Sequence, residues 1–302
     1  MTFFITGSNG FVGTHLCQEL SNRNIPFKKG VRRAADPSEV SYGDLSTEGN
    51  WDQLFRGIDV VVHLAARVHV MNETSSDPLE EFRKTNVAAS VRLAEAARAS
   101  GVKRFIFLSS IKVNGEETHA RPFRADDEPN ASDPYGISKR EAEDALLSLH
   151  EPGAFEVVVI RPPLIYGPGV KANFQSLMRL SGKSLPLPFG SVENRRSMVS
   201  VFNLVDLIIL CSHHPSAGGN VFLVSDDHDF SLRSLITQMA EVQGRKALLL
   251  PVPVFLMKLL ATLLGKKAVV DRLFGNLQVD IGKTKSLLGW KPKYGLRNTF
   301  SA

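Results

Sequence analysis

The chain has 302 residues, of which 43% are hydrophobic, and its formal net charge is +5 at pH 7. This length can bury one large core, or a nucleotide-binding domain with a smaller lobe, and the scattered Lys and Arg residues, with no nucleic-acid-binding motif, favour a small anionic ligand over DNA or RNA. Two cysteines, Cys17 and Cys211, are too few for a disulfide framework and have no metal-ligating neighbours at useful spacing, which predicts no metal site and suits a reducing compartment.

The first predicted elements flank a glycine-rich turn. In FFITGSNGFVG (residues 3–13), an apolar strand over residues 3–6 is followed by a helix over residues 11–20. The turn between them contains Gly7, Gly10 and Gly13. Glycines at this spacing allow a tight bend, a close approach of backbone to an anion and close helix packing, while N–H groups at the helix start bind pyrophosphate. An ordinary turn is the alternative for the triplet taken alone.

Strand-like and helix-like segments then alternate along the first half of the chain. The predicted strands lie at residues 26–31, 59–63, 104–108 and 155–160, and the predicted helices at residues 52–55, 79–99 and 134–150. This rhythm is typical of an α/β protein with a Rossmann-type, doubly wound parallel sheet. We therefore predict a dinucleotide-binding domain over residues 1–168 and a smaller C-terminal lobe, mainly for substrate binding, over residues 169–302. Whether some segments of that lobe return to the sheet is left open.

The pattern loosens beyond residue 169. Helices are predicted at residues 173–181, from 204, and at 232–243 and 253–264, with strands near Leu187 and Met198 and at residues 221–224. The apolar run at residues 252–264 is shorter than the roughly 20 residues that span a bilayer, so it predicts a packed helix and no stable membrane insertion. A membrane-surface role, helped by Lys266 and Lys267, is the alternative. No signal peptide is recognised in the first residues, which predicts a cytoplasmic location.

A second informative stretch is PYGISK at residues 134–139, where Tyr135 and Lys139 stand four residues apart on one helix face. An ammonium group beside a phenol lowers the pKa of the phenol, which makes proton exchange with an alcohol or ketone feasible near neutral pH. The strand RFIFLSS ends in Ser109 and Ser110, where a hydroxyl can bond the oxygen that Tyr135 protonates. The pattern predicts that the serine, tyrosine and lysine groups converge on one substrate carbonyl. For the spacing of Tyr135 and Lys139 considered alone, the alternative is an ordinary surface pair.

Seven short motifs together resemble one known family. They are TGSNGFVG, GDL at residues 43–45, HLAA at 63–66, TNV at 85–87, LSS at 108–110, PYGISK and RPPLIYGPG. Over nearly the whole chain the sequence resembles the extended short-chain dehydrogenase/reductases, in the branch of UDP-glucose 4-epimerase and the nucleotide-sugar 4-ketoreductases. The resemblance implies a nicotinamide dinucleotide cofactor and a UDP-sugar substrate.

The resemblance assigns most of the cofactor site. The residues that it implies for cofactor binding are Gly7, Gly10, Phe11, Val12, Gly13, Asp44, Leu45, Leu64, Ala65, Ala66, Asn86, Tyr135 and Lys139. The catalytic residues that it implies are Ser110, Tyr135 and Lys139. In that assignment the glycines hold the pyrophosphate, Asp44 takes the adenine amino group and Lys139 bonds the nicotinamide ribose. His63 is expected to have no proton role, and Asn86 is expected to brace loop backbone.

The end of the second predicted strand bears on cofactor choice. NAD-specific members of the family carry an acidic residue there for the ribose hydroxyls, whereas this chain has GVRR, which contains Arg32 and Arg33. Two arginines suit the 2′-phosphate of NADP(H), so we predict that NADP(H) is favoured and that NAD(H) is possible. A solvated basic pair is the alternative.

The resemblance also implies residues for the substrate. They are Ser110, Asn173, Phe174, Arg196 and Arg272. Leu277 falls near a position that is tyrosine in enzymes restricted to plain hexoses, and a leucine there leaves room for an N-acetyl group. Ile111 and Lys112 stand where nucleotide-sugar 4,6-dehydratases have an Asp-Glu pair, which argues against dehydration.

These features lead to three hypotheses. The leading one is an NADP(H)-preferring 4-ketoreductase that acts on a UDP-linked, N-acetylated hexose in surface-polysaccharide biosynthesis. The alternative is a UDP-sugar 4-epimerase that uses the same residues, and the remote one is a non-catalytic dinucleotide-sensing protein. The resemblance further implies a homodimer, in which the helices predicted at residues 79–99 and 134–150 form a four-helix contact.

Overall fold

The computed structural model describes residues 1–44, 51, 53–68, 77–183, 185–263, 265, 270 and 273–301. Its strands, numbered along the chain, are β1 (Phe3–Thr6), β2 (Phe27–Val31), β3 (Glu39–Ser41), β4 (Val60–His63), β5 (Arg104–Leu108), β6 (Glu156–Arg161), β7 (Leu164–Tyr166), β8 (Pro186–Leu187), β9 (Arg196–Ser200), β10 (Asn220–Leu223), β11 (Asp229–Phe230) and β12 (Leu248–Leu249). Its helices are α1 (Phe11–Asn22), α2 (Pro78–Phe82), α3 (Ala89–Ala99), α4 (Pro134–Leu147), α5 (Ala172–Ser181), α6 (Val201–Cys211), α7 (Leu232–Val242), α8 (Val254–Leu263), α9 (Gly282–Leu288) and α10 (Leu296–Thr299). A π-helical segment, Arg83–Ala88, joins α2 to α3, and short 3₁₀ turns lie at Ile111–Val113 and Pro215–Ala217.

Seven of the strands form one parallel sheet in the order β3-β2-β1-β4-β5-β6-β10. The order reverses between β1 and β4, and open α/β sheets bind ligands at such a switch point, outside the carboxyl ends of their strands. Phe3, Phe4 and Ile5 of β1 are fully buried, because helices cover both faces of a parallel sheet. The predicted Rossmann-type fold class is confirmed.

The two faces of the sheet have separate hydrophobic cores. Successive side chains of a strand point to opposite faces, so Ile5 packs with α1 and α6 while Phe4 packs with α3 and α4. Leu16 and Leu20 of α1 are fully buried, which anchors the helix that starts at the glycine-rich turn. The turn is therefore held between a buried strand and a buried helix face.

Three elements beyond residue 168 return to the large domain, and one of them is α9, whose Leu288 lies in the core shared with α1 and whose Thr284 hydroxyl donates to the Leu223 carbonyl of β10. Helix α6 packs beside α1 on the sheet, and β10 pairs with β6, with Val221 opposite Val159. The other C-terminal elements, together with β7, form a lobe with a three-stranded sheet, β11-β9-β7, and a two-stranded sheet, β12-β8. The boundary at residue 168 itself stays a prediction. Within the described part of the chain, no helix combines the length and the apolar character needed to cross a membrane.

Four predicted helices differ from the observed ones in type or by three residues at one end, and the one predicted from residue 204 begins at Val201. The helix expected at residues 52–55 is wrong, because the described residues 53–57 form a turn in which the Leu54 N–H donates to the Trp51 carbonyl (2.9 Å). Trp51 and Phe55 are buried in the core around Phe4. Their spacing of four residues is also that of a helix face, so the sequence pattern does not distinguish this buried turn from a helix. The helix predicted at residues 79–99 contains the π-helical segment, and the one predicted at 134–150 ends at Leu147.

Candidate active site

The glycine-rich turn has the geometry that its residues require. Gly7 has a φ of +67°, and a Cβ there would lie 2.9 Å from the Ala65 nitrogen. Gly10 is the N-cap of α1 in extended conformation. A Cβ on Gly13 would lie 2.7 Å from the Ser8 Cα, so only a glycine lets α1 pack this closely on the turn.

We expect Gly13→Ala to destabilise the protein by about 1 to 3 kcal/mol, because the added methyl meets backbone rather than a movable side chain. Urea unfolding measures the loss. Gly295→Ala is the matched control, because Gly295 has a φ of −114° and its Cβ would meet nothing closer than 3.8 Å. Equal stability of the two variants would contradict this account of the turn.

A cavity of about 680 Å³ opens at the switch point of the sheet. Its lining residues are Gly7, Asn9, Gly10, Arg32, Arg33, Tyr42, Asp44, Leu64, Ala65, Ala66 and Thr85. Most of them belong to the predicted cofactor set, and Leu45 of that set lies outside the described residues. The volume is in the range of small-molecule sites, and the helix N-terminus supplies N–H groups for an anion. The residues present therefore fit a dinucleotide.

Sequence reasoning missed three residues that line this cavity. Asn9 lies within the glycine motif, Tyr42 precedes GDL and Thr85 precedes Asn86. Asn9 and Thr85 lie within quoted motifs and Tyr42 lies beside one, which was a usable signal. Two members of the predicted set, Phe11 and Val12, belong to the first turn of α1, and Val12 is only 9% exposed.

His63 at the end of β4 is part of a buried hydrogen-bonded chain. Its Nδ1 lies 2.7 Å from the Thr6 hydroxyl and its Nε2 lies 2.9 Å from the Ser90 hydroxyl. Burial, and then the charge of Lys139, lowers the pKa of His63 to about 3. The neutral ring therefore joins β1, β4 and α3 as a structural group.

Asn86 lies in the π-helical segment and braces the loop that follows β4. Its Nδ2 donates to the Arg67 carbonyl (3.1 Å) and to the Ser138 hydroxyl (3.1 Å), and its Oδ1 accepts from the Arg67 N–H (2.8 Å). These bonds connect the loop to α4, in agreement with the prediction that Asn86 braces loop backbone. A direct contact of Asn86 with a cofactor stays a prediction.

The hydroxyls of Ser110 and Tyr135 meet at the carboxyl end of β5. Ser110 begins the 3₁₀ turn, and its side chain hydrogen-bonds the Tyr135 phenol. Tyr135 lies in the first turn of α4, which Asp133 caps by accepting from the Tyr135 N–H (3.0 Å) and the Gly136 N–H (3.2 Å). A Cβ on Gly136 would lie 3.0 Å from the Lys112 carbonyl. The missing side chain lets α4 approach the 3₁₀ turn, which brings the two hydroxyls together.

Lys139 lies one turn further along α4 and is only 2% exposed. Its Nζ donates to the Leu108 carbonyl (2.9 Å) and lies 4.3 Å from the centre of the Phe107 ring. Burial lowers the pKa of Lys139 to about 7, against an opposing effect of Glu143. The ammonium is thus held at the end of β5, next to the residues that precede Ser110.

The expectation that Lys139 lowers the pKa of Tyr135 is wrong for this conformation. Burial, and then the charge of Asp133, raises the pKa of the Tyr135 phenol above its usual range, against the effect of the Ser110 hydrogen bond. The Lys139 ammonium donates to the Leu108 carbonyl. Tyr135 is consequently a protonated phenol at neutral pH, which is the form that can donate a proton to a carbonyl oxygen.

A buried ion pair that sequence reasoning missed lies behind Lys139. Arg161, at the end of β6, donates from Nε to both carboxylate oxygens of Glu143 (3.0 Å each) and from Nη1 to the Asn114 side chain (3.0 Å). The Ser109 hydroxyl also donates to Glu143. Glu143 is 1% and Arg161 4% exposed. The spacing in the sequence shows only that Glu143 shares a helix face with Lys139, and it does not point to Arg161.

The predicted substrate residues are less tightly grouped. Arg196 begins β9, and its Nη1 donates to the Gly275 carbonyl (3.1 Å). Burial, against the charge of Glu117, lowers the pKa of Arg196. Leu277 forms a backbone bridge with Arg196 and is itself in the core, at 7% exposure.

Two other substrate predictions concern α5 and the segment after α8. Phe174 is 3% exposed and packs against Tyr166 and Phe300, with ring centres 5.6 and 6.1 Å away. That ring therefore fills the core of the lobe, and a place for Phe174 beside the diphosphate of the substrate stays a prediction. Asn173 lies in the first turn of α5, and Arg272 lies outside the described residues.

Comparison with known proteins agrees with this arrangement. The model of the family described as "NAD dependent epimerase/dehydratase family" matches residues 3–225. The chain is 48% identical over 305 residues to a UDP-glucose 4-epimerase of Vibrio cholerae, covering 99% of this chain and 93% of that protein. It is 28% identical over 280 residues to N-acetyl-alpha-D-glucosaminyl-diphospho-ditrans,octacis-undecaprenol 4-epimerase of Escherichia coli O157:H7, covering 88% and 82%.

The fold has solved counterparts as well. The structure of MoeE5 in complex with UDP-glucose and NAD matches with a TM-score of 0.77 and 25% identity, over 100% of this chain and 96% of that one. The sheet order, the glycine-rich turn at its switch point and the family match over most of the chain agree with one another. The chain belongs to the NAD dependent epimerase/dehydratase family.

Proposed function

We propose that the protein exchanges a hydride with C4 of a UDP-linked hexose, and that its net reaction is 4-epimerisation. The observation that carries the proposal is the meeting of the Ser110 and Tyr135 hydroxyls at the end of β5, on the same edge of the sheet as the cavity lined by Gly7 and Gly10. The similarity to the UDP-glucose 4-epimerase of Vibrio cholerae supports 4-epimerisation as the net reaction.

A nicotinamide dinucleotide, when bound, supplies reversible hydride transfer and, in its oxidised form, an added positive charge. The glycine turn would hold its pyrophosphate, and Asp44 and Lys139 would bind its adenine and ribose groups. The Ser110 hydroxyl orients the sugar oxygen at C4. The added positive charge would lower the raised pKa of the Tyr135 phenol, so that Tyr135 would take the proton of that oxygen when C4 is oxidised and return it when the ketone is reduced. Arg196 would bind the diphosphate of the substrate.

The experiment that tests this proposal starts with the nucleotide content of the purified protein. The protein is then incubated with UDP-glucose, UDP-GlcNAc and UDP-4-keto-6-deoxy-GlcNAc, each with and without added NADPH, and the products are analysed. A 4-epimerase carries bound NAD⁺ and interconverts UDP-glucose and UDP-galactose without added cofactor. The absence of sugar conversion in every arm would overturn the proposal and favour the non-catalytic sensor, against which Ser110, Tyr135 and Lys139 argue.

A second candidate function is a 4-ketoreductase that uses NADPH. The specific observation in its favour is that Arg32 and Arg33, at the end of β2, line the same cavity as Asp44. Guanidinium groups there suit a 2′-phosphate. A net reductase must exchange its cofactor at every turnover, so the purified protein would be largely empty and would consume NADPH in proportion to a 4-keto sugar.

If these arginines bind the 2′-phosphate, NADPH is expected to bind at least about tenfold more tightly than NADH, because each charge-assisted contact contributes on the order of 1.5 to 3 kcal/mol. The double change Arg32→Ser and Arg33→Ser should remove the difference, as measured by calorimetry. Arg98→Ser is the control, since Arg98 is an exposed residue of the last turn of α3. Equal affinities in the unaltered protein would identify the pair as a solvated surface feature.

Three further properties belong to the proposal. We expect the N-acetylated hexose to be a substrate alongside the plain one, in line with the name of the Escherichia coli relative. We expect a cytoplasmic homodimer in which residues 78–99 and α4 of two copies form a four-helix contact. Light scattering of the purified protein tests the dimer, and a monomer at micromolar concentration would contradict it.

A further inference from the structure

Helix α8 carries large apolar side chains on the side that faces away from the protein. The outward residues are Phe255, Leu256, Leu259, Leu260 and Leu263, whose exposed fractions run from 39% to 75%. Val254, Met257 and Ala261 face the lobe, and the last two are buried. At about 100° per residue, the outward apolar residues span an arc of roughly 140°. The helix is therefore apolar on its solvent side as well as on its packed side.

Exposed leucines also lie at the two-stranded sheet of the same lobe. Leu185, Leu248 and Leu250 are 45% to 53% exposed, and they adjoin the two-stranded sheet in which Leu248 pairs with Pro186. The same small core lies under both elements, since Leu187 and Met257 are buried in it together. We call the five outward residues of α8 the α8 face.

The stretch of sequence that contains α8 carries charge of one sign. Between residues 242 and 270 the sequence contains no Asp or Glu. The cations of this stretch are Arg245, Lys246, Lys258, Lys266 and Lys267, of which the last two lie outside the described residues. Large exposed apolar patches mark interaction sites, and the cations of this stretch favour an anionic partner.

We propose that the α8 face adsorbs to the surface of an anionic phospholipid bilayer, independently of the proposed reaction. Apolar side chains flanked by lysines are the composition of helices that lie in the plane of the membrane interface. α8 has 10 residues, about 15 Å, so it lies on the bilayer and does not span it. A second copy is a poorer occupant, because a symmetric contact through this face would place like charges together.

Flotation of the full-length protein with lipid vesicles tests this binding. One vesicle population contains only phosphatidylcholine, and the other contains phosphatidylcholine with phosphatidylglycerol. We expect flotation with the anionic vesicles alone, weakened by added salt. The double change Leu259→Gln and Leu263→Gln should lower the partition coefficient at least about tenfold, since it removes apolar area from the interface. Leu287→Gln, at a 40% exposed leucine of α9, is the matched control and should bind as the unaltered protein does.

A charge variant keeps the test decisive if the leucine variant folds poorly. Lys246→Gln with Lys258→Gln should weaken anionic binding by roughly fivefold for each charge, with thermal melts confirming that the fold is intact. Absence of flotation, equal flotation with both vesicle populations, or unchanged binding of both variants would overturn the proposal. A further outcome would also overturn the proposal: the unaltered protein self-associates but does not bind vesicles, and the leucine variant loses the self-association. The α8 face would then be a contact between copies of the chain.

Discussion

Tyr135→Phe is expected to lose about 10²-fold or more in turnover while the protein still binds its dinucleotide. The change removes one hydroxyl, which is the group that hydrogen-bonds Ser110 and moves the proton at the sugar oxygen. The ring itself keeps its edge-on contact with Phe82, at 5.9 Å between ring centres, so the fold should be retained. Initial rates on UDP-glucose and calorimetric titration with dinucleotide measure the two effects separately.

Tyr294→Phe is the matched control for this variant. Tyr294 packs against Phe202, with ring centres 5.2 Å apart, in the contact between the C-terminal segment and α6. Loss of its hydroxyl should leave turnover unchanged. If the turnover of Tyr135→Phe is within a few-fold of that of the unaltered enzyme, Tyr135 does not move the proton. Its role beside Ser110 would then be structural.

Glu143→Gln is expected to destabilise the protein by about 3 to 5 kcal/mol, because it leaves the Arg161 guanidinium buried without a counter-charge. The pair is held by side chains that are 5% and 2% exposed, at 2.5 Å between Arg161 Nη2 and Glu143 Oε2. Urea unfolding should show a lower midpoint with an unchanged slope. A second change, Arg161→Met, made in the Glu143→Gln protein should restore part of the loss, since it removes the unpaired charge.

Glu141→Gln is the matched control for the buried pair. Glu141 lies two residues earlier on α4 and pairs with Arg83 at 2.7 Å, but these side chains are 33% and 44% exposed. Exposed ion pairs contribute little, because water solvates the separated charges. Equal losses in Glu141→Gln and Glu143→Gln would contradict the account of Glu143 as one half of a buried pair.

The sequence was a good guide where one local cause decides the structure. The strand Arg104–Leu108 was predicted with its observed bounds. Polar residues precede and follow its apolar run, so both ends of the strand are marked in the sequence. The glycine-rich turn was also recognised, since Gly7 has a positive φ and Gly13 lies against backbone. Most of the lining of the cavity, all but Asn9, Tyr42 and Thr85, followed from motifs that end neighbouring parallel strands.

The features that sequence reasoning missed depend on packing between distant segments. Arg161 and Glu143 meet only because β6 lies under α4, and no pattern along the chain joins them. The raised pKa of Tyr135 comes chiefly from burial, which residue spacing does not report. The π-helical segment keeps nearly the apolar period of an α-helix, so that periodicity alone cannot reveal the extra residue.

The position of the deuterium label after conversion of UDP-[4-²H]glucose tests most directly whether C4 exchanges a hydride within the enzyme. The label leaves the sugar as a hydride and returns to the other face of the same carbon, while the proton moved by Tyr135 exchanges with water. We predict UDP-galactose that retains deuterium at C4, with no deuterium in the solvent. Loss of the label to water, or no UDP-galactose from a folded protein that binds dinucleotide, would contradict the account.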